Sequence, residues 1–328
     1  MRLTARIASL TVAAAVSTAA LAACTSTQAE QTLHPAATQP TASATRTSAS
    51  PSPSPSPRRL PASPALQVTG APKGVKAKEG VLVDASTGQV LWAKDANTER
   101  PMASVTKVMT ALLVLTSGNL NQQIQVPKAA FDYAWKYGAE TAGLHPGDKL
   151  TAGELLEALL LSSGADAAYT LANYYGPGLA AFVSDMNAAA ARLGMTHTHF
   201  TSPDGLPYPT ETSTYSTPND LVILGLAAMK YPAFRSIVDQ RFYQLKKGPG
   251  RHQYWWDNTD ALIGSYQGAL GIKDGYTDDA GHCLLFEAER DGRTLIGVVL
   301  GSPPSGTAAG AQDAEKMLNW GFALHSTG

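Results

Sequence analysis

The chain has little cysteine, little charge and no long hydrophobic run. Its 328 residues contain two cysteines, and lysine and arginine total 25 against 26 for aspartate and glutamate. Because the basic residues are few and scattered, the sequence lacks the footprint of a nucleic-acid-binding protein. None of the seven histidines stands in a recognised metal-ligand spacing, and the closest approach, His197-Thr-His199, is typical of a structural or solvated pair. We therefore expect no nucleic-acid partner, no metal and no cofactor.

The first residues are typical of an export signal. Arg2 and Arg6 precede an apolar run from Ile7 to about Ala20, which is too short to span a membrane. The run ends in Leu-Ala-Ala-Cys24, a pattern similar to the lipobox of bacterial lipoproteins. We predict a signal peptide over residues 1–23 and a lipid on Cys24. An ordinary cleavage site, with Cys24 incidental, is the alternative.

A lipid on Cys24 would anchor the protein to the outer face of the cell membrane, and without it the protein would be secreted. With Cys24 blocked, only Cys283 remains, so no internal disulfide forms. Residues 24–73 are rich in Ser, Thr, Ala and Pro, which predicts a disordered or polyproline-like linker. At about 3.1 Å per residue it reaches roughly 140 Å, which suits work on an extracellular layer such as a cell wall.

Residues 74–328 are enough for one large domain or two intimate lobes. Strand patterns occur at both ends of this region, and helical patterns lie between them. The predicted fold class is mixed α/β of the α+β kind: an antiparallel sheet made from both termini, with a helical lobe inserted at about residues 110–230. The predicted elements are a β-hairpin at 80–92, helices at 151–175, 182–193, 217–229 and 311–324, and strands at 268–273, 282–289 and 294–300.

The most informative motif is Ser104-Val-Thr-Lys107, at the head of an apolar helix that ends at about residue 117. The spacing puts a hydroxyl and an amine on one helical face, within mutual reach. A serine is a weak nucleophile until a base takes its proton, and a lysine is such a base only when neutral. Burial and the positive end of the helix dipole would both lower the pKa of Lys107. The pattern predicts a serine acyl enzyme, although S-x-x-K also occurs by chance.

Two later clusters extend this motif. Ser162-Ser163-Gly164-Ala165-Asp166 opens or interrupts a helix in the inserted lobe, and Lys273-Asp274-Gly275-Tyr276-Thr277 lies at the end of a late strand. Together the three resemble the S-x-x-K, S-x-N and K-T-G motifs of the penicillin-recognising serine enzymes. More narrowly, the chain is similar to the low-molecular-mass D-alanyl-D-alanine carboxypeptidases of the S11 peptidase family. The supporting segments are 82–88, 103–110, 202–206, 216–220 and 271–284.

The resemblance implies a β-lactamase/DD-peptidase-like fold and a role for each matching residue. Ser104 would be the nucleophile and Lys107 its base, while Ser163 would relay a proton to the leaving amine. Lys273 would supply positive potential for the terminal carboxylate of the substrate. The oxyanion hole would be the backbone N–H groups of Ser104 and Tyr276, and Asp274, Gly275, Thr277 and Ala165 would line the substrate site.

The implied reaction is serine-type carboxypeptidase hydrolysis of the D-Ala-D-Ala bond in peptidoglycan stem peptides, through an acyl-enzyme on Ser104. β-Lactams would be inhibitors trapped as slow acyl-enzymes. The third residue of the stem peptide, the balance of hydrolysis against transpeptidation and the oligomeric state stay open, as does the role of Trp255 and Trp256, for which packing and a glycan groove are the alternatives.

Two residues depart from the family's motifs. Ala165 replaces an Asn that hydrogen-bonds the substrate, a loss of about 0.5–1.5 kcal/mol. Asp274 replaces a Thr, and two like charges about 4 Å apart repel by roughly 4 kcal/mol at an effective dielectric of 20. Asp274 is then paired with Lys273, or serves a substrate with a neutral end, or marks a site that has lost its peptidase role.

Two other functions stay open at this point. A non-catalytic or weakened lipoprotein that keeps the fold and binds peptidoglycan would explain both departures. A β-lactamase would need a deacylating base, and no convincing Glu stands in a loop of the right kind: Glu211 lies in the loop before Ser216 but lacks the expected surroundings.

Overall fold

The computed structural model of the chain describes residues 66–303, 306 and 308–325. The predicted signal peptide, Cys24 and the linker up to residue 65 lie outside these residues. Leu66, the first described residue, has a buried side chain. Its backbone N–H donates to Gln89 Oε1 at 2.9 Å, and the N–H of Gln67 donates to the carbonyl of His325 at 3.1 Å. Residues 66–73, which the sequence places in the linker, therefore start in contact with the folded domain.

A five-stranded antiparallel sheet is built from both ends of the described chain, as predicted. The strand Glu79–Asp84 (β1) pairs with the strand Arg293–Ser302 (β11), which brings Glu79 opposite Leu300. Apolar residues run almost continuously along the central strands because both faces of the sheet are covered. In spatial order the strands are β2 (Val90–Lys94), β1 (Glu79–Asp84), β11 (Arg293–Ser302), β10 (Gly281–Arg290) and β9 (Ala269–Thr277).

Helices cover the two faces of this sheet. The last helix, α8 (Ala309–Phe322), packs its buried Met317 and Leu318 on one face, together with Leu82 of β1. Val81 and Val83 point to the opposite face, where they join the core of the helical lobe. This alternation along one strand is what divides the interior into two layers.

The helical lobe lies between β2 and β9 in the chain, as the sequence predicts. Three short two-stranded ribbons and a 3₁₀ turn connect its helices. The helices are α1 (Lys107–Thr116), α2 (Lys128–Tyr137), α3 (Ala152–Leu160), α4 (Ala165–Tyr175), α5 (Leu179–Leu193), α6 (Pro218–Ala228) and α7 (Pro232–Val238). The ribbons pair β3 (Arg100–Pro101) with β6 (Tyr215–Ser216), β4 (Gln123–Gln125) with β5 (Lys149–Thr151), and β7 (Phe242–Leu245) with β8 (Tyr254–Asp257).

The helical pattern predicted at 151–175 is interrupted in the structure, as expected for the cluster at 162–166. Thr151 does begin a helix, since its Oγ1 accepts from the Glu154 N–H at 3.1 Å and the Glu154 carboxylate accepts from the Thr151 N–H at 2.7 Å. However, the helix breaks at residues 161–164, where Ser163 takes a left-handed φ of 59°. Two helices, α3 and α4, therefore replace one. In the part of the chain that is described, no single helix is long and apolar enough to cross a membrane; α6 and α7 reach that length only together, across a bend of 111°.

Candidate active site

Ser104 and Lys107 meet at the junction of a 3₁₀ turn (Ala103–Thr106) and helix α1. Lys107 Nζ lies 2.8 Å from Ser104 Oγ, the reach that the three-residue spacing predicts. The same ammonium donates to the carbonyl of Asp204 at 3.0 Å. Lys107 is almost fully buried, whereas Ser104 is half-buried at the surface of the lobe. The pair therefore combines a reachable hydroxyl with a buried amine.

Two glycines from later parts of the chain hold this turn. Ala103 has a φ of 48°, a left-handed value that is uncommon for a residue with a side chain. A Cβ atom on Gly205 would lie 1.9 Å from the carbonyl oxygen of Ala103. A Cβ atom on Gly275 would lie 2.7 Å from the backbone nitrogen of Ser104. Loop 202–206 and strand β9 therefore both approach the turn so closely that neither Gly205 nor Gly275 has room for a side chain.

Burial controls the acid–base behaviour of Lys107. Desolvation lowers the pKa of its ammonium from 10.5 to about 8, and the charge of Lys273 acts in the same direction. Three carboxylates oppose this by raising the pKa, and these are Asp204, Asp274 and Asp166. With a pKa of about 8, roughly a tenth of the molecules carry a neutral Lys107 amine at pH 7. The structure therefore places a partly neutral amine within hydrogen-bond distance of the Ser104 hydroxyl.

Asp204 is a site residue that the sequence analysis named only as part of a supporting segment. Its side chain is buried, and its Oδ1 accepts hydrogen bonds from Tyr133 Oη at 3.3 Å and from the Leu206 N–H at 3.1 Å. Its Oδ2 has no partner among the described residues. Burial and the negative charge of Asp204 both raise the pKa of Tyr133, which keeps that hydroxyl protonated. Nothing in the turn sequence Ser-Pro-Asp-Gly distinguishes this carboxylate from an ordinary turn residue.

The second motif lies at the start of helix α4. Ser163 is buried, and its left-handed backbone stands directly before Gly164, where a Cβ atom would lie 2.7 Å from the Cβ of Ala142. The N–H of Ala165 donates to the carbonyl of Glu140 at 2.8 Å. Asp166 accepts from the Ala142 N–H at 2.9 Å. Loop 140–144 therefore fixes the backbone around Ser163, and the methyl group of Ala165 offers no hydrogen bond to a substrate.

The third motif lies at the end of a late strand, as predicted, although this strand, β9, continues to Thr277 and not only to Lys273. Lys273 is buried, and its Nζ lies 2.6 Å from Asp274 Oδ1. Thr259 donates its hydroxyl to the same oxygen at 2.6 Å. Burial acts to raise the pKa of Asp274, but the charge of Lys273 and these two hydrogen bonds outweigh it, and the pKa lies below its usual range. Asp274 is therefore an ionised partner of Lys273.

A second buried carboxyl, Asp260, lies beside this pair and was missed by the sequence analysis. Its Oδ1 accepts from the Leu262 N–H at 2.9 Å, and its Oδ2 has no partner among the described residues. Burial raises its pKa to about 7, and the charge of Asp274 adds to the increase. Asp260 and Asp274 line an open cleft of about 630 Å³ along β9. The Asn-Thr-Asp sequence at 258–260 carries no signal for this position.

The remaining motif residues occupy the far end of β9. The side chain of Tyr276 is exposed, donates to Asp278 Oδ1 at 3.0 Å and lies against the ring of His282, with 4.7 Å between centroids. Thr277 accepts from the Ala280 N–H at 3.2 Å, which stabilises the turn into β10. Neither side chain touches Ser104 or Lys107, so any role of Tyr276 in an oxyanion hole belongs to its backbone.

The two tryptophans have different environments. Trp256 is buried, and its indole N–H donates to the carbonyl of Ala142 at 2.8 Å. Trp255 is half-exposed and stacks on Phe242, with ring centroids 4.2 Å apart. Trp256 is therefore a packing residue that supports the loop behind Ser163.

Comparison with known proteins decides the family. The model for peptidase S11, the D-alanyl-D-alanine carboxypeptidases, matches residues 66–304. The chain is an S11 peptidase. The predicted family, fold and enzyme class, a serine-type D-Ala-D-Ala carboxypeptidase, are thereby confirmed.

Two relatives of this S11 peptidase span most of its length. A D-alanyl-D-alanine carboxypeptidase of Streptomyces sp. (strain K15) is 41% identical over 277 residues, which cover 81% of this chain and 93% of that protein. One from Mycobacterium tuberculosis is 37% identical, over 76% of this chain and 83% of its own. The crystal structure of the Streptomyces K15 DD-transpeptidase superposes with a TM-score of 0.73 at 40% identity, over 78% of this chain and all of that one.

Proposed function

We propose that this S11 peptidase removes the terminal D-alanine from peptidoglycan stem peptides through an acyl-enzyme on Ser104. The observation that carries the proposal is the 2.8 Å contact between Lys107 Nζ and Ser104 Oγ, with the pKa of Lys107 lowered to about 8. A hydroxyl paired with a partly neutral amine is an activated nucleophile.

In the proposed reaction the neutral amine of Lys107 accepts the proton of Ser104, and Oγ attacks the carbonyl carbon of the D-Ala-D-Ala bond. The negative oxygen of the tetrahedral intermediate would be bound by the backbone N–H groups of Ser104 and Tyr276. Each such donor is worth about 2.7–4 kcal/mol. The proton then reaches the leaving amine by way of Ser163, D-alanine departs, and water hydrolyses the ester on Ser104.

The contact between Lys273 and Asp274 favours the first of the three explanations for the altered third motif. A salt bridge of 2.6 Å, shared with the Thr259 hydroxyl, offsets most of the negative charge of Asp274. It also uses part of the positive charge of Lys273, which would otherwise attract the substrate carboxylate. We therefore propose an active enzyme whose preference for a charged C-terminus is weaker than that of a K-T-G enzyme.

The test is the mass of the intact protein after incubation with benzylpenicillin. We expect a single stable adduct on the wild-type chain and none on Ser104→Ala. D-Alanine release from a synthetic peptide ending in D-Ala-D-Ala is measured in parallel, with and without an added acceptor amine, which separates hydrolysis from transpeptidation. No adduct after long incubation at high concentration would contradict the proposal and favour the second candidate, a peptidoglycan-binding relative without activity, for which Ala165 and Asp274 are the supporting residues.

We further propose that the protein acts outside the cell, anchored by a lipid on Cys24. The support is the apolar run and lipobox-like sequence before Cys24 and the Pro- and Ser-rich segment that follows. Membrane fractionation of cells that express the wild-type chain and Cys24→Ser tests it. The variant should leave the membrane fraction, and its retention there would contradict the lipid anchor.

A further inference from the structure

Three side chains that make no hydrogen bond to Ser104 or Lys107 form a cluster of potential metal ligands: His145, Asp148 and His252. Each offers one ligand atom, and these atoms all lie within 4.8 Å of one another. The two imidazole rings stack with 3.9 Å between centroids and 19° between planes. Both histidines are exposed, and the carboxylate beneath them is buried. The sequence analysis missed the cluster because His252 follows Asp148 by 104 residues, so no local spacing reveals it.

Hydrogen bonds already hold the carboxylate of Asp148 in position. Tyr254 donates its hydroxyl to Asp148 Oδ2 at 2.5 Å, and the backbone N–H of His252 donates to the same oxygen at 2.8 Å. The Tyr254 hydroxyl also accepts from the His145 N–H at 3.0 Å. Partners of this kind orient metal-binding carboxylates in known sites. The loops that carry the ligands are therefore fixed before any ion arrives.

The distances suit a small divalent cation. His252 Nδ1 lies 3.0 Å from Asp148 Oδ1. Ligand atoms on a tetrahedral Zn²⁺, with bonds of about 2.0–2.2 Å, lie about 3.4 Å from one another. An ion bound between the imidazoles and the carboxylate would replace the hydrogen bond between His252 Nδ1 and Asp148, and the two ligand atoms would move apart by a few tenths of an ångström. His145 also lines an open cleft of about 660 Å³, through which the ion and its water ligands can enter.

We propose that His145, Asp148 and His252 form a binding site for a late first-row divalent cation, represented here by Zn²⁺. Two imidazoles and one carboxylate are a donor set that such ions prefer over Mg²⁺ and Ca²⁺, which favour oxygen ligands. The remaining coordination position faces solvent. The site is separate from Ser104 and Lys107 and takes no part in the proposed acyl transfer.

Bound metal would join two loops that support the second motif. The N–H of Lys149 donates to the carbonyl of Gly250 at 2.9 Å, and Trp256 donates to the carbonyl of Ala142 at 2.8 Å. Ala142 in turn lies against Gly164, next to Ser163. An ion at the cluster adds a third link between these loops, so its first effect is greater thermal stability of the domain.

The experiment measures Zn²⁺ binding by calorimetry and the melting temperature of the whole chain, after treatment with a chelator and its removal. Cys24→Ser serves as the background, so that this thiol cannot bind the metal. We expect one saturable site and a rise in melting temperature of about 5 °C or more at a hundredfold excess over Kd. Mg²⁺ at the same concentration should give no shift.

The variants His145→Ala and His252→Ala should each weaken Zn²⁺ binding at least tenfold. The matched control is His197→Ala, which removes an exposed imidazole whose hydrogen-bond partner among the described residues is the Glu99 carboxylate, at 3.3 Å, and keeps the backbone N–H that donates to Asp220. It should bind Zn²⁺ like the background protein. Penicillin acylation of Ser104 in all variants shows that they fold, because this reaction does not use the cluster. The proposal is overturned if no saturable site exists or if Zn²⁺ binding survives in both cluster variants. It is also overturned if His197→Ala weakens Zn²⁺ binding as much as the cluster variants do.

Discussion

Replacing Asp274 with Asn should change which substrate the enzyme prefers. The substitution keeps an oxygen for Thr259 and Lys273 but removes the negative charge. In wild type, Lys273 Nζ lies 2.6 Å from Asp274 Oδ1. A substrate carboxylate about 3 Å from the ammonium, on the side away from Asp274, would lie about 5 Å from this oxygen, and at an effective dielectric of 20 the repulsion is about 3 kcal/mol.

Solvent reduces this figure, because 36% of the Asp274 side chain is exposed. We therefore expect a net gain of about 1–2 kcal/mol, or about 5- to 30-fold in kcat/KM, for peptides ending in a free D-Ala-D-Ala carboxylate. The assay compares D-alanine release from such a peptide with D-alaninamide release from its C-terminal amide. The amide carries no charge, so Asp274→Asn should barely change its kcat/KM.

The decisive quantity is the kcat/KM value for the peptide with a free carboxylate divided by the kcat/KM value for its C-terminal amide. It should rise in Asp274→Asn and also in Asp274→Thr, which restores the K-T-G motif. An equal ratio in wild type and both variants, with penicillin acylation intact, would refute the argument that Asp274 repels the substrate carboxylate. A wild-type ratio far below one would instead identify an amidated substrate.

Three further outcomes are expected. The rate of acylation by a chromogenic β-lactam should rise with pH through a midpoint near 8, which is set by the pKa of Lys107. A flat rate profile between about pH 6 and pH 9 would exclude Lys107 as the base. Asp260 has a folded-state pKa of about 7 against 3.8, so its contribution to the free energy of unfolding is full below pH 3.8 and is lost as pH rises through 7. Asp260→Asn should remove this loss. In urea denaturation the variant should be more stable than wild type at pH 8, by at most about 4 kcal/mol, and no more stable than wild type at pH 4. An equal difference at both pH values would contradict the raised pKa of Asp260. Gly205→Ala should destabilise the fold by about 3 kcal/mol or more, because its Cβ would meet Ala103, whereas Gly88→Ala, with a similar φ and open space, should cost about 1 kcal/mol. Equal losses would show that the close approach is not important.

The sheet was predictable because its strands carry long apolar patterns between clear turns. Helix α2 was not, since only Ala130 and Ala134 are buried on it, and the exposed Phe131 and Trp135 hide any periodicity. An interruption at 162–166 was expected from the sequence, but the left-handed backbone of Ser163 and the close packing of Gly164 against Ala142 are tertiary features that local sequence does not show.

The site was predictable as far as local spacing reaches. Ser104 and Lys107 are three residues apart on one helical turn, so their contact follows from geometry alone. Neighbouring residues on a strand point to opposite faces, so the sequence could not establish that Lys273 turns back to Asp274. Thr259 and Asp260 join the site through tertiary contacts only, and no motif marks them.

The clamped turn around Ser104 also makes the nucleophile a reporter of folding. The turn keeps its geometry only while loop 202–206 and strand β9 both press on it, and these segments come from different parts of the chain. We expect a molecule that releases either one to keep helix α1 and to lose the Ser104–Lys107 geometry on which the proposed acylation depends. Covalent labelling with a fluorescent penicillin during denaturation should therefore measure the fraction of molecules in which the domain is still folded. It would detect the first loss of assembled domain while circular dichroism still shows unchanged helix content.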